Sequence, residues 1–183
     1  MLRHIAWFTE APIAPTNDGS LASENAEASS RCLIPARELE KLGVHCSVFG
    51  NLSDADPTHV SKHLQKLNSD IVVISPFSGP SMLKLARAAK HLGCYVVADF
   101  GHENTLLDDH LKLADIADQC VAATSSAAKA VMAKCAVPTL VLPDCDERST
   151  GKSAPDLIAR MWMDIFNKLK LRPPACANSN IPA

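Results

Sequence analysis

Between Asp70 and Asp146 the chain repeats one pattern: a short apolar run rich in Val and Ile, then small polar or acidic residues, then a helical interval. The runs are DIVVISPFSGP, CYVVADFGHEN and QCVAATSSA, closed by TLVLPDCD. Strands without polar alternation are buried on both faces, and strands separated by helical stretches build parallel sheets. The pattern predicts an α/β fold: a Rossmann-like, doubly wound, mostly parallel sheet of about six strands with helices on both faces. Ligands of such sheets sit at the carboxyl ends of the strands, which directs attention to the loops after Ser75, Asp99, Thr124 and Pro143.

The pattern extends in both directions. HIAWFT (4–9) reads as the first strand, and residues 10–23 as a long Pro-, Gly- and Asn-containing loop without periodicity. A helix is expected over 24–42, interrupted at Pro35 and stopped by Gly43. A second strand follows over 44–50, and Asp56 and Pro57 open a helix over 57–67. Next come strand 70–75, helix 80–92, strand 94–99, helix 106–116, strand 119–123, helix 125–135 and strand 138–142. Residues 156–170 form an amphipathic helix, with Leu157, Met161, Ile165 and Leu169 at spacings of four beside Ile158, Trp162 and Phe166. The expected organisation is a domain over 1–147, a loop and helix over 148–171 packing back on it, and a patternless, disordered tail over 172–183.

Composition narrows the function classes. At 183 residues, 47% hydrophobic and 21% charged, the chain fits one domain with a sizeable core. A net charge of −2 and 4% aromatic residues argue against nucleic acid as a partner. No apolar run reaches the roughly 18 residues of a membrane span, and the apolar stretch before Glu10 is too short for a signal peptide. Seven cysteines, an odd number without CxxC spacing, give no disulfide framework and point to the cytoplasm. Cys32, Cys46, Cys94, Cys120 and Cys135 fall in or beside elements, as small hydrophobes do, and the aspartates flanking Cys145 disfavour its thiolate.

Three places offer chemistry. The loop Pro15–Ser20, with Asn17, Gly19 and Ser20, either lets backbone amides approach a phosphate or sugar or is a plain surface loop; with one glycine it is no dinucleotide fingerprint. Arg31 near its mouth is either a bidentate clamp for a carboxylate or phosphate or a solvated helix charge. The cluster Asp99, His102, Glu103, Asn104 is the densest polar group at any strand end and suits sugar hydroxyls or a general base, His102 being the best-tuned group. Its alternative is a capping Asp99 with His102 in solvent. Its spacing matches no standard zinc pattern, and His59 and His63 lack a third ligand, so no metal is expected. GKS at 151–153 lacks the glycine and strand of a phosphate-binding P-loop.

The order IAWFT, NDGS, SSRCLIPARELEKLGVHCSVF, DIVVISPFS, VVADFGHEN, VAATSSAAKAVM, VLPDCDE resembles the N-terminal, acceptor-side domain of GT-B-fold glycosyltransferases of the group 1 type, from Met1 to about Glu147. The resemblance implies a domain binding a sugar or glycan acceptor, with His102 or Asp99 as the base. Asn17, Gly19, Ser20, Arg31, Ser75, Ser78, Glu103, Asn104 and Thr124 would then bind substrate. Complete members carry a second domain for the nucleotide sugar, and the residues after Glu147 are too few for one. A donor-binding protein partner is therefore implied, and no cofactor. The other reading is a non-catalytic binding or scaffold module that keeps the fold, with the face around Met161, Trp162, Ile165 and Phe166 sealing the core or docking a partner. A flavodoxin-like binder is the third reading, disfavoured by the lack of glycine-rich phosphate loops.

Overall fold

The computed structural model describes residues 4–51, 57–75, 80–102, 106–146, 151 and 154–171. Six strands form one sheet: β1 (His4–Phe8), β4 (His45–Phe49), β5 (Ile71–Ile74), β6 (Tyr95–Asp99), β7 (Gln119–Ala122) and β8 (Thr139–Val141). Their order is β4-β1-β5-β6-β7-β8 and every pairing is parallel. The six-stranded parallel sheet matches the α/β expectation, because uninterrupted Val- and Ile-rich runs such as Ile71–Ile74 are fully buried on both faces.

Side chains of β1 show how the two layers form. Ala6 and Phe8 point to one face, joining Val72, Ile74, Val96 and Ala98 beneath Leu64 of α3 (Pro57–Leu67), α4 (Pro80–His91) and α5 (Asp108–Ile116). Ile5 and Trp7 point to the other, under α2 (Ile34–Lys41) and α7 (Pro155–Lys170). The remaining helix α6 (Ser125–Met132) is capped by Thr124, whose hydroxyl accepts the Ala127 amide at 3.1 Å. Gly43, at φ +82°, ends α2 in the left-handed conformation that a side chain disfavours.

The amphipathic helix is consumed within the chain. Trp162 meets Trp7 edge-on at 5.9 Å and stacks on Phe166 at 5.2 Å. Its buried stripe is Ile158, Ala159, Trp162, Ile165, Phe166 and Leu169, whereas Leu157 is 40% exposed and leaves the expected row. The docking version of the scaffold reading thereby loses its surface.

Two local features depart from the sequence expectation. The expected featureless loop contains a small antiparallel hairpin, β2 (Ala14–Pro15) with β3 (Leu21–Ala22). The expected long helix is three segments: α1 (Ala26–Ala28), a π-helical turn (Ser29–Leu33) and α2. Pro35 supplies the reason. It has no N–H to donate to the Arg31 carbonyl and its ring crowds that oxygen, so the helix widens and Ile34 bonds Ser29 instead. The widened turn buries Arg31, Cys32 and Leu33.

Among the described residues no helix is long and apolar enough to cross a membrane. Burial pushes the Cys32, Cys46 and Cys120 thiols up to about 12 and Cys94 up to about 11, so they are hydrophobes, not nucleophiles. The predicted Asp56 cap and the 172–183 tail lie outside the described residues.

At the amino ends of the strands, His4 is buried between the Ser69 hydroxyl (2.8 Å) and the Ser47 hydroxyl (3.0 Å). Burial and the neighbouring His45 lower its pKa below the ordinary 6.5, against the pull of Asp70. The native state thus binds fewer protons than the unfolded chain just below pH 6.5, and stability falls as pH drops from there through the lowered value. A His4→Gln variant compared with the parent by urea unfolding isolates this loss. The parent's midpoint should drop more on acidification between neutrality and pH 5 (a window on the order of the ordinary His range); parallel curves would contradict it.

Candidate functional site

The sheet order fixes where a ligand crevice forms. The chain leaves β1 to one side for β4 and then returns to the other side for β5, so the strand order reverses between β1 and β5. Loops diverge there, which opens a crevice at the carboxyl ends. A cavity of about 150 Å³ occupies this place, lined by Thr9, Asn25, Glu27, Ser75, Asp99 and Phe100. Beside it a wider cavity of about 670 Å³ is lined by Ser23, Glu27, Ser30, His102, Asp144 and Asp146, among others. Glu27 belongs to both linings.

Between and beneath them runs a chain of charges. Arg31 is 3% exposed and grips Asp99 through both sides of its fork: Nε donates to Oδ2 at 2.9 Å and Nη2 to Oδ1. Its Nη1 donates to the Leu142 carbonyl at 2.7 Å and to Asp144 Oδ1 at 3.1 Å. The other oxygen of Asp144 lies 2.6 Å from Nε2 of His102, whose ring is largely exposed. Burial opposes charge on Arg31, but Asp99 and Asp144 outweigh it and hold the guanidinium pKa above its ordinary value. His102, Asp144, Arg31 and Asp99 form one continuous path from solvent to core.

The sequence candidates separate by position. Asp99 and His102, three residues apart in sequence, face opposite ways: Asp99 is 2% exposed and committed to Arg31, while His102 faces the wide cavity. Arg31 is neither solvated nor open to a ligand as a clamp, because its fork is filled from within the chain. Ser75 lines the narrow cavity, its hydroxyl 3.6 Å from the Cys32 sulfur. Thr124 belongs to neither lining and caps α6. Ser78, Glu103 and Asn104 lie outside the described residues.

Asn17, Gly19 and Ser20 stand apart, at the hairpin tip. Gly19 and Ser20 line a third cleft of about 530 Å³ with Phe49 and His63; it shares Leu33 and Arg37 with the wide cavity but not His102. The tip is no anion cradle. The Gly19 amide donates to the Thr16 carbonyl at 3.0 Å and the Ser20 amide to Asp18 Oδ1 at 3.0 Å. Hydrogen bonds from the Thr16 hydroxyl and from Ser20 pull the Asp18 carboxyl down to about 2, which puts a fixed negative charge there.

Sequence reasoning missed Glu27 and Asp144. Asp144 had a signal, as the first acid after the final strand; Glu27 had only its place four residues before Arg31 in the first turn of a helix. Burial and the neighbouring Asp99 raise the Glu27 pKa, with Asp144 adding and Arg31 and His102 opposing. Among the described residues no group of three His, Cys, Asp or Glu side chains is arranged to hold a metal ion.

No protein-family model and no curated protein matches the sequence. Solved structures do resemble the fold. MurG of Acinetobacter baumannii superposes with a TM-score of 0.50 at 12% identity, over 68% of this chain and 42% of that one. The chain therefore spans less than half of the MurG chain and shares the α/β fold of the part it superposes on. An ABC sugar transporter subunit from Rhodobacter sphaeroides superposes with a TM-score of 0.42 at 10% identity, over 93% of this chain and 64% of that one.

Proposed function

We propose that this chain is a glycosyltransferase-like domain that binds a sugar or glycan acceptor, with a nucleotide-sugar donor held by a separate protein partner. The observation that carries the reading is the His102–Asp144–Arg31 path opening into the cavity of about 670 Å³ at the carboxyl edge of the sheet. The fold shared with MurG supports it.

With Nε2–H directed to Asp144, the lone pair of His102 lies on Nδ1. That atom takes the proton of the acceptor hydroxyl as its oxygen bonds to the anomeric carbon. The bond from that carbon to the donor's phosphate oxygen breaks, and its electrons leave with the nucleotide. Asp144 orients the imidazole and offsets the charge it gains, and Arg31 holds Asp144 in place. Asp99 anchors Arg31 and has no part in proton transfer.

The full satisfaction of Arg31 and Asp99 within the chain favours a second reading, a binding module in which the path serves only as a structural pin. Both readings expect glycan binding, and they part at transfer. Thermal unfolding with neutral mono- and disaccharides, uridine diphosphate and guanosine diphosphate tests the shared part. Saccharides should raise the midpoint in proportion to ln(1 + [L]/Kd) while the free nucleotides leave it unchanged. Stabilisation by the nucleotides alone would contradict an acceptor domain.

A further inference from the structure

The residue that both cavities share sits on a backbone position shaped to receive it. Gly101 has φ +50°, and a Cβ there would lie 1.9 Å from Glu27 Oε1. The carboxyl of Glu27 thus occupies the space that any other residue at position 101 would fill. Its own backbone is fixed by Asn25, whose Oδ1 accepts the Ala28 amide at 2.8 Å and caps α1. The charged groups that act on it come from each surrounding element: Arg31 from its own helical run, Asp99 from β6, His102 from the following loop and Asp144 from the loop after β8.

We infer that Glu27 is a ligand-contacting side chain of the acceptor site, seated on Gly101 and touching a saccharide that passes from the narrow cavity into the wide one. This rests on the acceptor reading above and adds the ligand's class: a neutral saccharide of at least two rings. One ring takes the switch-point cavity of about 150 Å³, beside Asn25, Ser75 and Glu27, and the next lies toward His102. A carboxyl between two rings accepts hydrogen bonds from ring hydroxyls when ionised and donates one to a ring or bridging oxygen when protonated. An anionic sugar would meet three carboxyls, Glu27, Asp144 and Asp146, along the wall against the single guanidinium of Arg37.

Two measurements on the full chain decide the inference. Carbon-13 NMR of the glutamate carboxyls should find Glu27 titrating above the ordinary glutamate range in the parent, lower in Gly101→Ala and higher still in His102→Ala. An ordinary value in the parent, indifferent to both changes, overturns the seating. Calorimetric titration with chitobiose, cellobiose and maltose should show Glu27→Gln weakening the best of them about tenfold or more, with the monosaccharides bound less tightly than their disaccharides and barely affected. If Glu27→Gln binds as the parent does while His102→Ala is impaired, the Glu27 assignment falls and the acceptor reading stands. If none of the saccharides binds, the acceptor reading itself falls and takes the ligand class with it.

Discussion

Arg31→Met will lower the free energy of unfolding by about 3–5 kcal/mol, the range seen when one partner of a buried ion pair is removed. The guanidinium is 3% exposed, and it alone faces both oxygens of Asp99, itself 2% exposed. Methionine restores the volume but leaves the Asp99 carboxylate, 2% exposed, without its ion partner. The Leu142 carbonyl also loses its donor at 2.7 Å, which adds a desolvation cost. Replacing both partners, Arg31→Met with Asp99→Leu, should recover much of the loss, because no charge then remains stranded. Urea unfolding of the two variants checks this. A single-variant loss below about 1 kcal/mol would mean that the pair is solvated and worth no more than a surface bridge.

His102→Ala should behave in the opposite way, leaving stability within about 0.5 kcal/mol and lowering transfer by about 10²–10⁴-fold. The ring is largely exposed, so its removal opens no cavity in the core. Its part in the mechanism is to take the acceptor proton, from a position on the wide cavity's wall that Asp144 holds. Asp144→Asn should reduce transfer in the same direction. The amide can donate as well as accept, so it no longer enforces a hydrogen on Nε2 and a lone pair on Nδ1. The assay follows a labelled sugar from nucleotide donor to disaccharide acceptor, with a cell extract supplying the donor-binding partner. Transfer that His102→Ala leaves intact removes the residue from the mechanism and favours the binding-module reading.

The two substitutions expose what the sequence made legible. Fully buried strands announce themselves, since Ile71–Ile74 and residues 95–98 are apolar on both faces and followed by polar residues. The helix interruption at Pro35 was equally readable, but its consequence was not. Whether a proline kinks, restarts or widens a helix depends on packing, and only the π-helical outcome turns Arg31 into the core. The hairpin stayed hidden because its strands are two residues long and one contains a proline.

The site was legible as a location and illegible as a constellation. Strand-end logic led to Asp99, His102 and Ser75. It treated Asp99 and His102 as one cluster because they are three residues apart in sequence, whereas Asp99 is buried on Arg31 beside the narrow cavity and His102 is exposed on the wide one. Arg31 and Asp144 are separated by 113 positions, and Arg31 and Asp99 by 68. Pairings at that range leave no local trace. Glu27 is harder still, since its role depends on the missing side chain of Gly101.

On the proposed function, a glycan enters over His102 and not at the hairpin cleft. Amide NMR during titration with the best-binding disaccharide tests it most directly. Shifts should concentrate at Ser23, Glu27, Ser30, His102 and Asp146, around the cavities at the strand ends. Shifts concentrated instead at Gly19, Ser20, Phe49 and His63 would place binding in the other cleft and contradict it.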